Sequence, residues 1–153
     1  MQAGDHVADF ALPDQTGAVR RLGDFLGAGP VVLFFYPAAM TYGCTKESCH
    51  FRDLKADFDA VGATRIGISA DPVDKQFQFA QKHDFDYPLL SDVDRAVAEA
   101  FGVKRRSNLL KVKRSTFVID TDGSLIAQLH SEVSMHSHAD KALEILRARQ
   151  QRA

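Results

Sequence analysis

The two cysteines of this 153-residue chain, Cys44 and Cys49, lie in one short stretch, YPAAMTYGCTKESCHFRD. Four residues separate them, so the spacing is too wide for a CxxC redox turn, and two cysteines are too few for a zinc cluster. Two cysteines form no structural disulfide framework in a chain of this size. In a reducing compartment such a pair more often serves catalysis, redox sensing or metal binding, so both residues are candidates for chemistry.

The position of Cys44 favours a nucleophile. After Thr41 the apolar residues Phe51, Leu54 and Phe58 recur at spacings of three and four, which predicts a helix that begins near Cys44. Unpaired N–H groups and the positive end of the helix dipole favour an anion at that place. The thiolate is the reactive form of cysteine, and we expect the helix start and one arginine to stabilise it at Cys44.

Cys49 follows five residues later on the same predicted helix. In an intact helix this offset is about 7.5 Å along the axis and about 140° around it. The implied Cα separation of about 8 to 9 Å exceeds the limit of roughly 7 Å for a disulfide. Either the two sulfurs never pair, with Cys49 a buried apolar residue, or the first turns unwind and the bond is one step of a cycle.

Three further residues are candidates for the pocket around Cys44. Pro37, Thr41 and Cys44 form the pattern PxxxTxxC, in which Thr41 can hydrogen-bond a substrate oxygen or the sulfur, and Pro37 can shield the pocket from water. Arg114, at the head of RSTFVID, can supply the positive charge. On sequence alone, however, a surface cation in the run KVKR is the simpler interpretation of Arg114.

Charge and composition exclude several classes of partner. Nineteen Lys and Arg against 20 Asp and Glu give a net charge of -1, so no basic excess recruits nucleic acid or anionic lipid. No apolar run approaches the roughly 18 residues that span a bilayer, and the first residues lack the apolar core of a secretory signal. We expect a single domain over residues 1–153, located in the cytoplasm.

Strand and helix patterns alternate along the chain. Two short extended pieces around Asp14-Gln15-Thr16-Gly17 predict an N-terminal β-hairpin, and Thr121-Asp122-Gly123 predicts a second hairpin between RSTFVID and SLIAQLHSE. The runs PVVLFFYP and ATRIGISA are typical of buried strands, and HADKALEILRARQ of an amphipathic helix. This order predicts an α/β fold in which helices cover both faces of a central mixed β-sheet.

The whole chain resembles the peroxiredoxins. PAAMTYGC matches the PxxxTxxC active-site loop of that family, GDHVADFALPDQTG is similar to its opening hairpin, and RSTFVID is similar to the strand that carries its active-site arginine. CTKESCHFRD resembles the peroxiredoxin Q subgroup, also called bacterioferritin comigratory proteins. In that subgroup the resolving cysteine lies five residues after the peroxidatic one.

The resemblance implies a thioredoxin-like fold and a thiol peroxidase that reduces hydrogen peroxide and organic hydroperoxides without a cofactor, metal or flavin. It implies a sulfenic acid on the first cysteine, then an intramolecular disulfide that thioredoxin or a similar dithiol reduces. By matching positions, Cys44 is peroxidatic, Cys49 resolving, and Glu47 orients the arginine. The pocket is then completed by Pro37, Thr41 and Arg114.

The chain departs from the subgroup at three places. Ala38, Ala39 and Met40 replace the charged loop residues common there, so we expect a more apolar pocket mouth that favours bulkier hydroperoxides. Tyr42 stands where the subgroup often has proline, and Ala8 replaces a proline frequent in the opening hairpin. Neither of these two changes touches the chemistry directly.

Other functions are possible on sequence grounds. A peroxide-sensing redox switch would use the same two cysteines to control a partner. A metal or haem site would use histidines near them, although CxxxxCH differs from the haem motif CxxCH. The candidate ligands in that case are Cys44, Cys49, His50, His130, His136 and His138. A disulfide reductase is disfavoured because CxxC is missing, and no dimer patch is evident, so we expect a monomer.

Overall fold

The N-terminal part of the chain forms the predicted hairpin. The computed structural model describes residues 1–106, 111–130 and 136–152. Strand β1 (Ala11–Pro13) pairs antiparallel with β2 (Val19–Arg21). In the turn between them, Asp14 Oδ1 accepts a 2.8 Å hydrogen bond from the Thr16 amide, and Gly17 takes the left-handed conformation at φ 87°. The hairpin is therefore fixed by the residues that predicted it.

A mixed sheet of five strands forms the centre of the fold. Its members are β3 (Val31–Phe35), β4 (Thr64–Ser69), β5 (Leu89–Ser91), β6 (Ser115–Ile119) and β7 (Leu125–His130). The strand order is β5-β4-β3-β6-β7, with β3, β4 and β5 parallel and β6 and β7 antiparallel to their neighbours. This arrangement confirms the mixed sheet. Residues 131–132, the end of the predicted last strand, lie outside the described residues.

Helices cover both faces of the sheet, as predicted. They are α1 (Leu22–Leu26), α2 (Tyr42–Asp53), α3 (Lys55–Ala60), α4 (Val73–His83), α5 (Ala96–Ala100) and α6 (Ser137–Arg152). Alternate residues of β3 contribute to two separate cores, one with α2, α3, α4 and α6 and the other with α1 and α5. Within the described ranges, no helix combines the length and apolarity needed to cross a membrane.

The helical segment after Thr41 is divided where the sequence predicts one helix. α2 ends at Asp53, and α3 begins at Lys55. The Arg65 side chain from β4 donates a 2.8 Å hydrogen bond to the Phe51 carbonyl, which in a continuous helix would accept from the Lys55 amide. This guanidinium replaces the next helical bond and allows the chain to turn. The five-residue helix α1 was also not predicted, because so short a segment carries no periodic signal.

Strand register brings three parts of the chain to one edge of the sheet. β3 ends at Phe35 and leads directly into the loop before α2, and the parallel strand β4 ends beside it at Ser69. β6 runs the opposite way, with Ser115 paired to Phe35. The residue before β6, Arg114, therefore lies where α2 begins.

Candidate active site

Cys44 is the third residue of α2 and is buried, with 1% of its surface exposed. The helix begins after Thr41, whose carbonyl accepts the first helical bond from the Thr45 amide at 2.8 Å. In the described part of the chain, the amides of Tyr42, Gly43 and Cys44 donate to no other residue. Such first-turn donors, together with the helix dipole, stabilise negative charge at this end of α2.

Arg114 joins Cys44 to Glu47 inside the protein. Its Nη2 lies 3.2 Å from Cys44 Sγ, and its Nη1 donates a 2.7 Å hydrogen bond to Glu47 Oε1. The arginine is 5% exposed, so it does not belong to the solvent-exposed charges of the run KVKR. Burial disfavours its charged form, but Glu47 and Cys44 outweigh burial and raise the pKa of Arg114. The sulfur therefore faces a permanent cation.

Glu47 is fully buried one helical turn after Cys44. Burial raises the pKa of Glu47 to about 7, although the charge of Arg114 and its hydrogen bond act in the opposite direction. Its second oxygen, Oε2, has no hydrogen-bond partner among the described residues and lies 3.7 Å from His138 Nδ1. The carboxyl therefore holds Arg114 with one oxygen and places the other beside His138.

The loop before α2 is held by a buried aspartate. Asp71, just after β4, accepts a 2.7 Å hydrogen bond from the Ala39 amide and another of 2.7 Å from the Ser69 hydroxyl. The next loop residue, Met40, has the left-handed φ of 69°, which non-glycine residues rarely adopt. Asp71 thus fixes the sharp turn that leads into the helix of Cys44.

The predicted loop residues occupy different environments. Pro37 is partly buried, whereas the Thr41 side chain is exposed and its hydroxyl donates to the Ala38 carbonyl at 2.7 Å. Ala39 is buried, so it does not line the mouth of the site. The exposed apolar surface beside the site comes instead from two residues, Met40 at 40% exposure and Tyr42 at 83%.

Cys49 lies on the same helix as Cys44 and is partly buried, and both thiols are free. Burial raises the pKa of the Cys49 thiol, against a lowering contribution from Arg52. Because α2 is continuous from Tyr42 to Asp53, the helical spacing of about 8 to 9 Å between the two Cα atoms applies. A bond between the sulfurs therefore requires part of α2 to unwind.

The second half of α2 is fixed in the core. The Tyr87 hydroxyl donates a 2.6 Å hydrogen bond to the Ser48 carbonyl, between the two cysteines. The Phe51 ring stacks on Phe34 of β3 with centroids 4.1 Å apart, and Arg65 binds the Phe51 carbonyl. The first turn has the Arg114 contacts instead. Unwinding is therefore easier before Ser48 than after it.

Sequence reasoning missed three residues that support this site: Asp71, Tyr87 and His138. A signal for Asp71 was present, because it directly follows the strand ATRIGISA and parallel strands end at one edge of the sheet. The sequence indicated His138 only as a candidate metal or haem ligand. It is the second residue of α6 but is buried, with its Nδ1 2.6 Å from Thr116 Oγ1.

The other histidines make separate contacts. His50 lies 2.8 Å from an Asp140 oxygen, and its ring stacks on that of His136 with centroids 4.3 Å apart. His130 Nδ1 is 3.1 Å from the Ser115 hydroxyl. Across residues 1–106, 111–130 and 136–152, no three His, Cys, Asp or Glu side chains converge in a way that could hold a metal ion.

Comparison with known proteins gives consistent matches over nearly the whole chain. The AhpC/TSA family matches residues 3–128. The crystal structure of the peroxidoxin BcpB from Mycobacterium tuberculosis is 63% identical, covers 97% of each chain and superposes with a TM-score of 0.93. Peroxiredoxin Bcp of Bacillus subtilis is 38% identical over 152 residues, 96% of each chain. The bacterioferritin comigratory protein of Xanthomonas campestris is 32% identical, with a TM-score of 0.83 over 92% of this chain and 91% of that one.

The contact between Arg114 and Cys44 predicts how fast the thiol is alkylated. In a Cys49→Ser background, replacing Arg114 by Met should slow the reaction of Cys44 with iodoacetamide at neutral pH about tenfold or more, because the thiolate loses an adjacent buried cation. The measurement is alkylation followed by intact mass. Lys113→Met is the matched control, since it removes an exposed cation one residue away. Equal rates in the two variants would contradict the assignment of the charge to Arg114.

Proposed function

The chain belongs to the AhpC/TSA family and is a thiol-dependent peroxidase of the peroxiredoxin type, and we propose that Cys44 is its peroxidatic cysteine. The observation that carries this proposal is the 3.2 Å contact between Arg114 Nη2 and Cys44 Sγ in a buried site. A cation in this place favours the thiolate, which is the form that attacks a peroxide. Cys49 is the resolving cysteine.

In the first step the Cys44 thiolate attacks the distal oxygen of the hydroperoxide. An S–O bond forms as the O–O bond breaks, so that Cys44 becomes a sulfenic acid, and hydroxide or alkoxide leaves and takes a proton from solvent. Arg114 and the free first-turn amides stabilise the charge that moves onto the leaving oxygen. Thr41 joins them once its hydroxyl turns from the Ala38 carbonyl towards the peroxide, and Pro37 limits the access of water.

In the second step Cys49 attacks the sulfur of the sulfenic acid, and water leaves as the disulfide forms. The start of α2 has to unwind first, because the helix keeps the two residues too far apart. The anchors at Ser48 and Phe51 limit this unwinding to the first half of the helix. Burial keeps the pKa of the Cys49 thiol raised in the intact helix.

The substrate is a hydroperoxide, and the apolar rim formed by Met40 and Tyr42 favours bulky organic ones. The alkyl peroxide reduction studied in the Xanthomonas relative supports this preference. Thioredoxin or a similar dithiol reduces the disulfide by exchange. No bound cofactor is needed, because the two thiols carry both electrons of the reaction.

The protein is proposed to work as a cytoplasmic monomer. Both cysteines lie on one helix, so the proposed cycle needs no thiol from a second copy of the chain. A reducing compartment keeps such thiols free between turnovers and contains the dithiol reductants that the cycle needs. Nucleic acid and membranes are not partners in this proposal, in line with the net charge of -1.

Two cysteine substitutions separate the steps. Cys44→Ser should abolish peroxide reduction, whereas Cys49→Ser should keep a fast single turnover and lose cycling with thioredoxin. The measurement is rapid mixing of reduced protein with hydrogen peroxide, followed by mass analysis and by a coupled steady-state assay. Ordinary activity in Cys44→Ser would end the assignment of the nucleophile. Unchanged steady-state turnover in Cys49→Ser would show that another thiol resolves the intermediate.

The hydrogen bond between Tyr87 and the Ser48 carbonyl should slow disulfide formation. Tyr87→Phe removes this bond and keeps the ring, so the resolving step should become about threefold to fivefold faster while the attack on peroxide is unchanged. The rate is read from the conversion of sulfenic acid to disulfide after one equivalent of peroxide. Tyr42→Phe is the control, since Tyr42 is exposed and its hydroxyl holds no carbonyl in the described structure. A resolving rate in Tyr87→Phe equal to that of the wild type would contradict the limit on unwinding.

The apolar rim predicts a substrate-specific loss. Met40→Asn suits the left-handed backbone at this position and removes apolar surface, so reduction of a fatty-acid hydroperoxide should slow about fivefold relative to hydrogen peroxide. Stopped-flow measurement with both substrates gives the ratio. Val93→Asn, which removes an exposed apolar side chain elsewhere, should leave the ratio unchanged. If Met40→Asn also leaves it unchanged, the rim does not select the substrate.

A further inference from the structure

His138 is a buried titratable residue that the mechanism above does not use. It lies at the start of α6 with 1% of its surface exposed, between the sheet and α2. Its Nδ1 is 2.6 Å from Thr116 Oγ1 on β6 and 3.7 Å from Glu47 Oε2. That carboxylate oxygen has no hydrogen-bond partner among the described residues. His138 is therefore placed next to the one unsatisfied oxygen of the Arg114 cluster.

The charges of the site do not balance when Cys44 ionises. With Cys44 as a thiol, the Arg114 cation and the Glu47 carboxylate cancel. With Cys44 as a thiolate, two negative charges share the single positive charge of Arg114 in a buried place. An excess charge in the protein interior is unfavourable, so a proton on Glu47 or His138 restores the balance.

Either of two groups can hold that proton. Burial raises the pKa of Glu47 to about 7. The imidazole of His138 is the other side chain beside this carboxyl that can carry a proton, and its Nδ1 lies 3.7 Å from Glu47 Oε2. The proton that leaves Cys44 has a place to go without adding net charge to the site.

We propose that His138 is a positioning residue for peroxide reduction, which acts through Glu47 to balance the charge of the Cys44 thiolate and to keep Arg114 directed at the sulfur. This inference rests on the proposed role of Cys44 as the peroxidatic residue. The influence of His138 passes through Glu47 Oε2 and from there through the Oε1 bond to Arg114.

His138 lines a groove together with residues of β7 and of its own helix, namely Gln128, Leu129, His130, Ser137 and Lys141. Around the pair, Arg114 contacts both Glu47 and Cys44, while His50 on α2 contacts Asp140 and His136 at the start of α6. Glu47 Oε2 is the carboxylate oxygen 3.7 Å from His138 Nδ1.

The test is the pH dependence of the first step in His138→Asn. Asparagine keeps a hydrogen-bonding group close to the position of Nδ1 but carries no proton charge. The chain has no tryptophan, so the attack on hydrogen peroxide is followed by rapid quenching, alkylation and mass analysis. The variant should react about fivefold more slowly than the wild type at neutral pH and should converge with it at alkaline pH, where His138 is neutral.

A double-mutant cycle shows whether His138 acts through Glu47. The rate of the first step is measured in Glu47→Gln, and adding His138→Asn to this variant should not lower that rate further. If His138→Asn lowers the rate by the same factor in the wild-type and Glu47→Gln backgrounds, the proposal is overturned. A pH profile of His138→Asn identical to that of the wild type would also overturn it. A merely structural role would lower the rate by the same factor at every pH, and this outcome also contradicts the proposal.

Two controls make the result specific. His136→Asn changes an exposed histidine at the same end of α6 and should give the wild-type profile. Thermal unfolding of each variant shows that folding is retained at the temperature of the assay. Failure of the underlying function has a different signature, because the wild type itself would then form no sulfenic acid or disulfide with peroxide.

Discussion

The site depends on one guanidinium that faces two acidic groups at once. Arg114 contacts Cys44 Sγ on one side and Glu47 on the other, and all three side chains are buried. The contact with Glu47 serves both partners: the carboxylate orients the arginine, and the arginine offsets the cost of burying the carboxylate. The strand register brings Arg114 close to Cys44, since Ser115 pairs with Phe35 and Arg114 then lies beside the start of α2.

Helix α2 combines the two requirements of the proposed cycle. Its intact first turn aligns the amides, Cys44 and Glu47, whereas disulfide formation requires that the same turn be lost. The helix is anchored through Ser48 and Phe51 beyond that turn, so we expect the change to remain local.

Much of the fold was predictable because its signals are local. Apolar runs marked β3 and β4, and turn residues marked both hairpins. The division between α2 and α3 was not predictable, because it arises from Arg65 on a different strand. The apolar periodicity alone places Phe51 and Phe58 on one face of a single helix. It contains no information about the Arg65 guanidinium, which comes from a different strand.

The site was predictable only in part, because some of its contacts join residues that are far apart in the sequence. The spacing of Cys44 and Cys49, with Thr41 before them, is local and points to thiol chemistry. The location of Arg114 next to the sulfur depends on a contact 70 residues apart, and sequence alone favoured a surface position. The burial of His138 was still harder to predict from the sequence, because it depends on how α6 packs against β6 and α2.

The most direct measurement is a pH titration of the ultraviolet thiolate absorbance of reduced Cys49→Ser protein, with the Cys44→Ser, Cys49→Ser double variant as the blank. In the single variant Cys44 is the one thiol, because the chain has two cysteines. The account predicts clear thiolate absorbance at neutral pH, because Arg114 Nη2 lies 3.2 Å from Cys44 Sγ. Absorbance that rises only in the alkaline range of an ordinary free thiol would contradict it.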